Sequence, residues 1–286
     1  MTERLLYETH SHTPLCRHAV GEPEEYATAA ERRGLRGLTV TCHNPMPNDF
    51  SRLVRMRPEQ FDEYLALVER ARTALADRVD VRLGLECDYF PGYVDWVEQQ
   101  LQSADFQYVL GSVHPQLHEM RERFGGGDAV EYQRTYFGLL ADAAETGLFD
   151  SISHPDLVKN IAPNDWQPER VMPDILRALD RIAATGTAME LNTSGANKRI
   201  QEMNPFPAML VEMRERRIPV VIGADAHEPD RVGDRFDEAL QLLQACDYTH
   251  VSFFLDRQRR DVPIDAARAS LSGAEMAAKN TRSHEK

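Results

Sequence analysis

The chain has 286 residues, 42% hydrophobic and 28% charged, which is enough to bury a sizeable core and argues against disorder. Its formal charge of −13 repels phosphate backbones and excludes a general nucleic-acid binder, although locally bound cations would admit a small phosphorylated ligand. Cys16, Cys42, Cys87 and Cys246 lack CxxC spacing, no apolar run approaches the roughly 20 residues of a membrane span, and Met-Thr-Glu-Arg does not begin a signal peptide, so a compact cytoplasmic protein is expected.

The first strand is predicted over Leu5–Thr9 and runs into His10 and His12, whose i, i+2 spacing puts both side chains on one face of extended chain. His18 follows in the next loop. A helix over Glu22–Arg33 precedes a strand over Gly37–Thr41 that leads to His43. The polar, Pro-containing stretch Asn44–Pro58 reads as a loop over one end of the fold, followed by a helix over Pro58–Ala76. The strand Val81–Cys87 carries Glu86 at its end, and after a helix over Tyr93–Gln102 the strand Tyr108–Val113 runs into His114. Gly125–Gly127 marks a turn before a helix over Ala129–Thr146, and the strand Asp150–Ser153 leads to His154. A helix over Glu169–Thr185 precedes the strand Ala188–Asn192, and a helix over Pro207–Arg216 precedes the strand Pro219–Gly223. Asp225 and His227 follow as a second i, i+2 pair, then a helix over Arg235–Ala245 and a weaker strand at His250–Phe254. Gly34, Gly147 and Gly186 stand where left-handed helix caps are expected.

Repeated strand–helix alternation predicts a parallel sheet with helices outside, and seven or eight units favour a barrel, complete or distorted, over an open sheet. No composition break divides the chain. One domain is expected over residues 1–272, with a flexible tail over 273–286.

Seven histidines and two carboxylates lie at or beyond the C-terminal ends of strands: His10, His12, His18, His43, Glu86, His114, His154, Asp225 and His227. In a parallel barrel those ends open onto one face, where active sites of such barrels lie. His114 and His154 each precede a proline, which keeps the histidine extended. Cys42 and Cys87 adjoin His43 and Glu86, so in extended chain they point the other way and pack against helices, while loop-borne Cys16 stays open. The set exceeds the four ligands of one tetrahedral zinc and suits two or three ions sharing a carboxylate. Imidazole with carboxylate favours Zn, Mn or Fe over Ca or Mg. His118, His250 and His284 are left as structural or exposed, and the basic run Arg214–Arg217 as a solvated helix end.

A phosphate clamp would use a cation on the same rim. Lys159 and Arg17 are best placed for it, with Lys198 and Arg199 further candidates. Asn192 and Ser194 could hydrogen-bond a substrate or simply form a strand-end turn. Tyr89 and Phe90 could stack on an imidazole or pack in the core.

The motifs HSHTPLCRHA (His10–Ala19), TCHNP (Thr41–Pro45), GLECDY (Gly84–Tyr89), GSVH (Gly111–His114), SHPDL (Ser153–Leu157), ELNTSG (Glu190–Gly195) and GADAH (Gly223–His227) occur in order. Together they resemble the polymerase-and-histidinol-phosphatase (PHP) family, and more closely its monofunctional phosphatase branch, from about His10 to Gly233. The resemblance implies a distorted (β/α)7 TIM-like barrel carrying a trinuclear metal centre. It assigns His10, His12, Glu86 and Asp225 to a first metal, Glu86, His114 and His154 to a second, and His18, His43 and His227 to a third. Cys42 departs from the acidic residue that many relatives carry before this histidine. The implied activity is metal-dependent hydrolysis of L-histidinol phosphate, a step of histidine biosynthesis, by attack of a metal-activated water on phosphorus. Glu86, Asp225 and His227 are the catalytic candidates, the last two also as general acids. Other small phosphoesters such as nucleotides are the alternative within the same chemistry. A non-catalytic metal-binding module is the alternative outside it. The acidic charge and the absence of a polymerase-sized extension weigh against a PHP nuclease, so the partners expected are a small phosphorylated substrate, without nucleic acid or membrane.

Overall fold

A computed structural model describes residues 3–271, so the predicted tail over 273–286, with His284, lies outside the described residues. The strands are β1 (Tyr7–Glu8), β2 (Gly37–Val40), β3 (Asp80–Asp88), β4 (Tyr108–Ser112), β5 (Ser151–Ile152), β6 (Ala188–Asn192), β7 (Val220–Gly223), β8 (His250–Leu255) and β9 (Gln258–Pro263). They form one sheet in chain order, parallel from β1 through β8, with β9 antiparallel to β8. β1, β2 and β4 to β7 are buried along their whole length, as strands covered on both faces must be.

Past the ends of β1 and β7, Ser11 bridges Ala226 in parallel. The His12 amide donates to the Ala226 carbonyl at 2.9 Å, and the Ala226 amide to the His10 carbonyl at 2.9 Å. This pairing joins the seventh strand to the first at the end where all the parallel strands finish. At the opposite end β8 meets β7 only through Val221 and Ser252, and Tyr7 stacks on Phe253 at 4.9 Å. The architecture is the expected α/β fold with a parallel sheet, the Ser11–Ala226 bridge linking the ends of its first and seventh strands, and the β8–β9 hairpin beside β1.

Helices α1 (Pro23–Arg32), α2 (Phe61–Ala74), α3 (Val94–Gln102), α5 (Ala129–Glu145), α6 (Pro168–Thr185), α7 (Pro207–Glu215) and α8 (Phe236–Ala245) connect the strands. Their ends follow local chemistry. Asp128 caps α5 through Oδ1 on the Glu131 amide at 2.9 Å, while Glu131 reaches back to the Asp128 amide at 3.2 Å. Gly34, Gly147 and Gly186 take φ of 76°, 69° and 77°, the left-handed conformation that ends a helix. Among the described residues no helix is long and apolar enough to cross a membrane.

Two elements escaped the sequence pattern. Helix α4 (His118–Phe124) buries only Met120, so it has no apolar stripe to detect. Strand β9 reads Gln-Arg-Arg-Asp-Val-Pro and is largely exposed. It forms because Asp256 and Arg257 both adopt positive φ, 52° and 60°, making a two-residue turn whose twist suits a hairpin.

A buried ion pair ties together the loops after β5 and β6. The Lys159 ammonium, fully buried, donates to Asp156 Oδ2 at 2.9 Å, to the Met203 carbonyl at 2.9 Å and to Glu202 Oε2 at 3.3 Å. Asp156 also accepts from the Phe206 amide at 2.9 Å and from the Asn204 side chain. Removing one partner of a buried pair leaves the other charge uncompensated. Lys159→Met is therefore expected to lower stability by about 3–5 kcal/mol. Urea unfolding measures it, and a midpoint equal to wild type would contradict this role.

Candidate metal centre

The parallel strands deliver their end residues to one place, and Glu86 on β3 is at its middle. The Glu86 carboxylate is buried, with His43 Nδ1 at 2.8 Å, His154 Nε2 at 3.2 Å, His10 and His114 Nε2 at 3.3 Å, and His12 Nε2 at 3.6 Å. Asp225 lies 3.2 Å from His12 Nε2 and 3.6 Å from His10 Nε2. His18 and His227 face each other at the outer edge, Nε2 to Nε2 at 2.8 Å. All nine residues singled out in the sequence therefore gather at one end of the barrel. Within the set, His10–His12–Glu86, His43–Glu86–His114 and His12–His43–His227 each bring three ligand-type atoms within 4.8 Å of one another.

The imidazoles are aimed by residues that the sequence reading did not assign. The His10 ring donates from Nδ1 to Glu190 Oε1 at 2.7 Å, and Glu190 Oε2 accepts the His154 amide at 2.8 Å. Glu8 accepts three backbone amides, those of His10, Ala224 and Gly233, at 3.0, 2.9 and 2.7 Å. Asp88 accepts from His114 Nδ1 and pairs with Arg55. Ser112 Oγ donates to Glu86 Oε1 at 2.6 Å. A signal for three of these was present: Glu8 is two residues before His10, Asp88 two after Glu86, and Glu190 two before Asn192, so each shares a strand face with a residue already chosen. Arg55 had none.

Two backbones at the site are strained. His154 has φ of 26° and Asp225 of 50°, conformations costing about 1–3 kcal/mol each in non-glycine residues. The extended backbone expected at His154 from Pro155 is thus not found. The Glu190 carboxylate on its amide and the Tyr136 hydroxyl on its carbonyl, 3.2 Å away, hold the residue out of the extended region.

Electrostatics point to a cation. Burial alone would push the His10, His12 and His114 imidazoles down. For His10, Glu190, Glu86 and Asp225 outweigh burial and carry it well above the usual range. Asp225, Cys42 and Glu86 carry His12 up to about 9, and Asp88 and Glu86 carry His114 up to about 10. Burial pushes His43 and His227 down to about 3 and lowers His154. Glu86 and Asp225 stay well below the usual carboxylate range, because the surrounding histidines overcome the effect of burial. Buried His10 Nε2, His12 Nδ1, His43 Nδ1 and Glu86 Oε2 have no hydrogen-bond partner, although His43 Nδ1 and Glu86 Oε2 are 2.8 Å apart and too poorly aligned to bond. Imidazole and carboxylate atoms converging on one buried place fit divalent cations, which would take over the position of the protons held there.

A cavity of about 350 Å³ opens above the cluster, lined by His18, His43, His114, His154, Asp225 and His227 and walled by Gln116, Leu157, Asn160, Ile161 and Lys198. Lys198 is the cation the structure brings to it, with Nζ 3.0 Å from Ser194 Oγ and 3.6 Å from Asp225 Oδ2. Lys159 is not on the cavity wall, because its short 3₁₀ turn, Leu157–Asn160, points the ammonium into the protein. Arg17 is exposed in a left-handed turn and also lies outside the lining. Asn192 is fully buried and saturated, donating to Glu190 Oε2 at 2.9 Å and accepting from the Ser194 amide and hydroxyl at 3.0 and 2.6 Å. Ser194 Oγ also lies 3.1 Å from Asp225 Oδ2. Phe90 packs among Phe50, Tyr93 and Phe124, away from the cavity. Cys87 and Cys42 are both buried as expected, and the Cys42 thiol takes a hydrogen bond from Thr13 Oγ1 at 3.2 Å and gathers with Cys16 and His12 within 4.8 Å.

The PHP domain family profile matches residues 8–194, which spans β1 through β6 and most of the cluster. The chain belongs to the PHP family. Among relatives, a Deinococcus radiodurans protein named "Probable histidinol-phosphatase" is 42% identical over 249 residues, covering 84% of this chain and 93% of the relative. The Bacillus subtilis histidinol-phosphatase is 23% identical over 266 residues, covering 81% and 97%. In fold, the PHP chain resembles the crystal structure of histidinol phosphate phosphatase from Lactococcus lactis, determined with zinc, L-histidinol and phosphate. The TM-score is 0.72 at 18% identity, over 91% of this chain and all of that one.

Cations entering this cluster compete with protons. His12 and His114, raised to about 9 and about 10, hold protons at neutral pH that a ligated ion must displace, so affinity rises with pH and falls on acidification. Zinc titration calorimetry near pH 7 in buffers of different ionisation enthalpy is expected to reveal release of about one proton or more. Heats independent of buffer would contradict it.

Proposed function

We propose that this PHP protein is a metal-dependent phosphomonoesterase that hydrolyses L-histidinol phosphate to L-histidinol and phosphate. The observation that carries the reading is the cluster of seven histidines and two carboxylates, six of them lining a cavity that has a lysine on its wall. The name of the 42%-identical relative supports the substrate.

In this reading His10, His12, Glu86 and Asp225 hold one divalent ion, Glu86, His114 and His154 a second, and His18, His43 and His227 a third, with Zn, Mn or Fe suited to these donors. Such ions supply Lewis acidity toward phosphate oxygens and bring the pKa of water near neutrality, which reconciles a chain of charge −13 with an anionic substrate. The residues of the chain do the rest. Glu190 fixes the His10 ring, and Asp88 fixes that of His114, so each presents Nε2 inward. Lys198 offers its ammonium to a phosphate oxygen and is only loosely held by Asp225 at 3.6 Å. Leu157 and Ile161 form an apolar wall that limits water around the phosphoester. Asp225 and His227 line the cavity, and either would serve as general acid for the leaving alkoxide only where it is free of an ion and has taken up a proton.

Phosphate release by protein of measured metal content, compared across histidinol phosphate, nucleotides and sugar phosphates, tests the substrate. The expected result is a kcat/KM for histidinol phosphate well above the others. Stronger turnover of a nucleotide would move the substrate, and no turnover with metal bound would leave a non-catalytic metal-binding module. His10→Ala and Asp225→Ala are expected to lose metal together with several orders of magnitude of rate, and near-normal turnover by either would sink the assignment. Lys198→Ala should raise KM by about tenfold or more, the worth of one charge-assisted hydrogen bond, with a smaller change in kcat. A loss confined to kcat would show that Lys198 acts elsewhere in the reaction.

A further inference from the structure

The stretch between His43 and α2 folds back under itself and buries a guanidinium beside the metal centre. Arg55 is 2% exposed and its ring-facing side lies 5.5 Å from the centre of Phe50, which in turn packs on Phe90 and Tyr93 at 5.0 and 5.5 Å. Its two terminal nitrogens do different things. Nη1 donates to the Asn44 carbonyl at 2.9 Å, and Nη2 pairs with Asp88 Oδ2. Both targets support candidate ligands. Asp88 Oδ1 accepts the Nδ1 proton of His114, whose Nε2 lies 3.3 Å from Glu86. Asn44 follows His43 directly, donates its amide to the Glu86 carbonyl at 2.8 Å, and accepts the Asp88 amide on Oδ1 at 3.1 Å.

We propose that Arg55 is a positioning residue for the metal centre, orienting His114 through Asp88 while its bond to the Asn44 carbonyl anchors the guanidinium; this rests on reading His114 as a ligand. The physical argument is geometric. A histidine that ligates through Nε2 needs its other nitrogen held by a fixed acceptor, and a carboxylate serves only while its own orientation is fixed. Asp88 is 3% exposed, so no water competes for its second oxygen, and Arg55 is the cation that holds it. Without the guanidinium the carboxylate loses the partner that orients it, and His114 loses its aim. The stretch that the sequence suggested as a loop over one end of the fold thus also supports a candidate ligand.

The test uses the full-length protein, zinc alone and no substrate. Arg55→Met, Arg55→Lys, Arg52→Ala and His114→Ala are dialysed against chelator-buffered zinc, and bound ions are counted by elemental analysis. Arg55→Met is expected to weaken one ion by about 10- to 100-fold and leave the others unchanged. Arg55→Lys, which keeps the charge, should recover most of that loss, and Arg52→Ala, on the same loop but exposed, should bind as wild type. Arg55→Met placed on His114→Ala should lose no further ion, because both changes act on one site. Unchanged affinities in Arg55→Met, or an additive loss in the double variant, would overturn the proposal. If Arg55→Met does not fold, Asp88→Asn carries the same test: selective weakening of one ion supports the role and wild-type binding refutes it. A wild-type protein that binds no zinc would instead overturn the ligand reading itself.

Discussion

A single buried carboxylate organises this protein. Glu86 is almost wholly buried, with five imidazole nitrogens within 3.6 Å. A carboxylate in such surroundings is tolerable only with compensating charge, supplied by protons on the histidines or by cations between them. Each of those imidazoles comes from a different strand end except the His10–His12 pair, so with β3, which carries Glu86, five strands must finish at one level for the group to exist. The Ser11–Ala226 bridge extends the requirement to β7, bringing Asp225 within reach of both first-strand histidines.

Around that centre lies an outer ring of acceptors. Glu8, Asp88 and Glu190 are wholly or almost wholly buried, and each is occupied by backbone amides or imidazole N–H groups. Together with Glu86 and Asp225 they concentrate negative charge at one end of the barrel, with Arg55 and Lys198 among the neighbouring cations. Burial pushes the Glu8 carboxyl up to about 7 even with three amides donating to it. The rim is stiffened by the same means, since Asp156 and Lys159 lock the loops after β5 and β6 on either side of the cavity. An acidic protein that handles an anion needs this arrangement, because cations drawn to the carboxylates reverse the sign of the field at the cavity floor.

The strand ends and the period-two rule carried the sequence reading far. His10 with His12 and Asp225 with His227 could be placed on common faces without any contact being known, and the end of a parallel strand is one of few positions that sequence reveals reliably. The same rule contained Glu8, Asp88 and Glu190, but a lone acidic residue in a strand gives no sign of which partner awaits it. The loops were harder. Lys159 was favoured because it lies five residues after His154, yet one 3₁₀ turn reverses a side chain, and nothing in Leu-Val-Lys-Asn says which way.

By itself the sequence determined the parallel barrel, the identity and common end of the ligand-type residues, and the family to which the chain belongs. These follow from local periodicity and from motifs that are contiguous in the chain. Only the tertiary structure decided which nitrogen of each histidine faces inward, which carboxylates hold the rings, and which lysine reaches the cavity. Those choices join residues far apart in sequence: 180 positions separate His10 from Glu190, and 26 separate His114 from Asp88. Such pairs are selected by close packing and by the cost of leaving a buried polar group unpaired, and neither is written in any local stretch of chain.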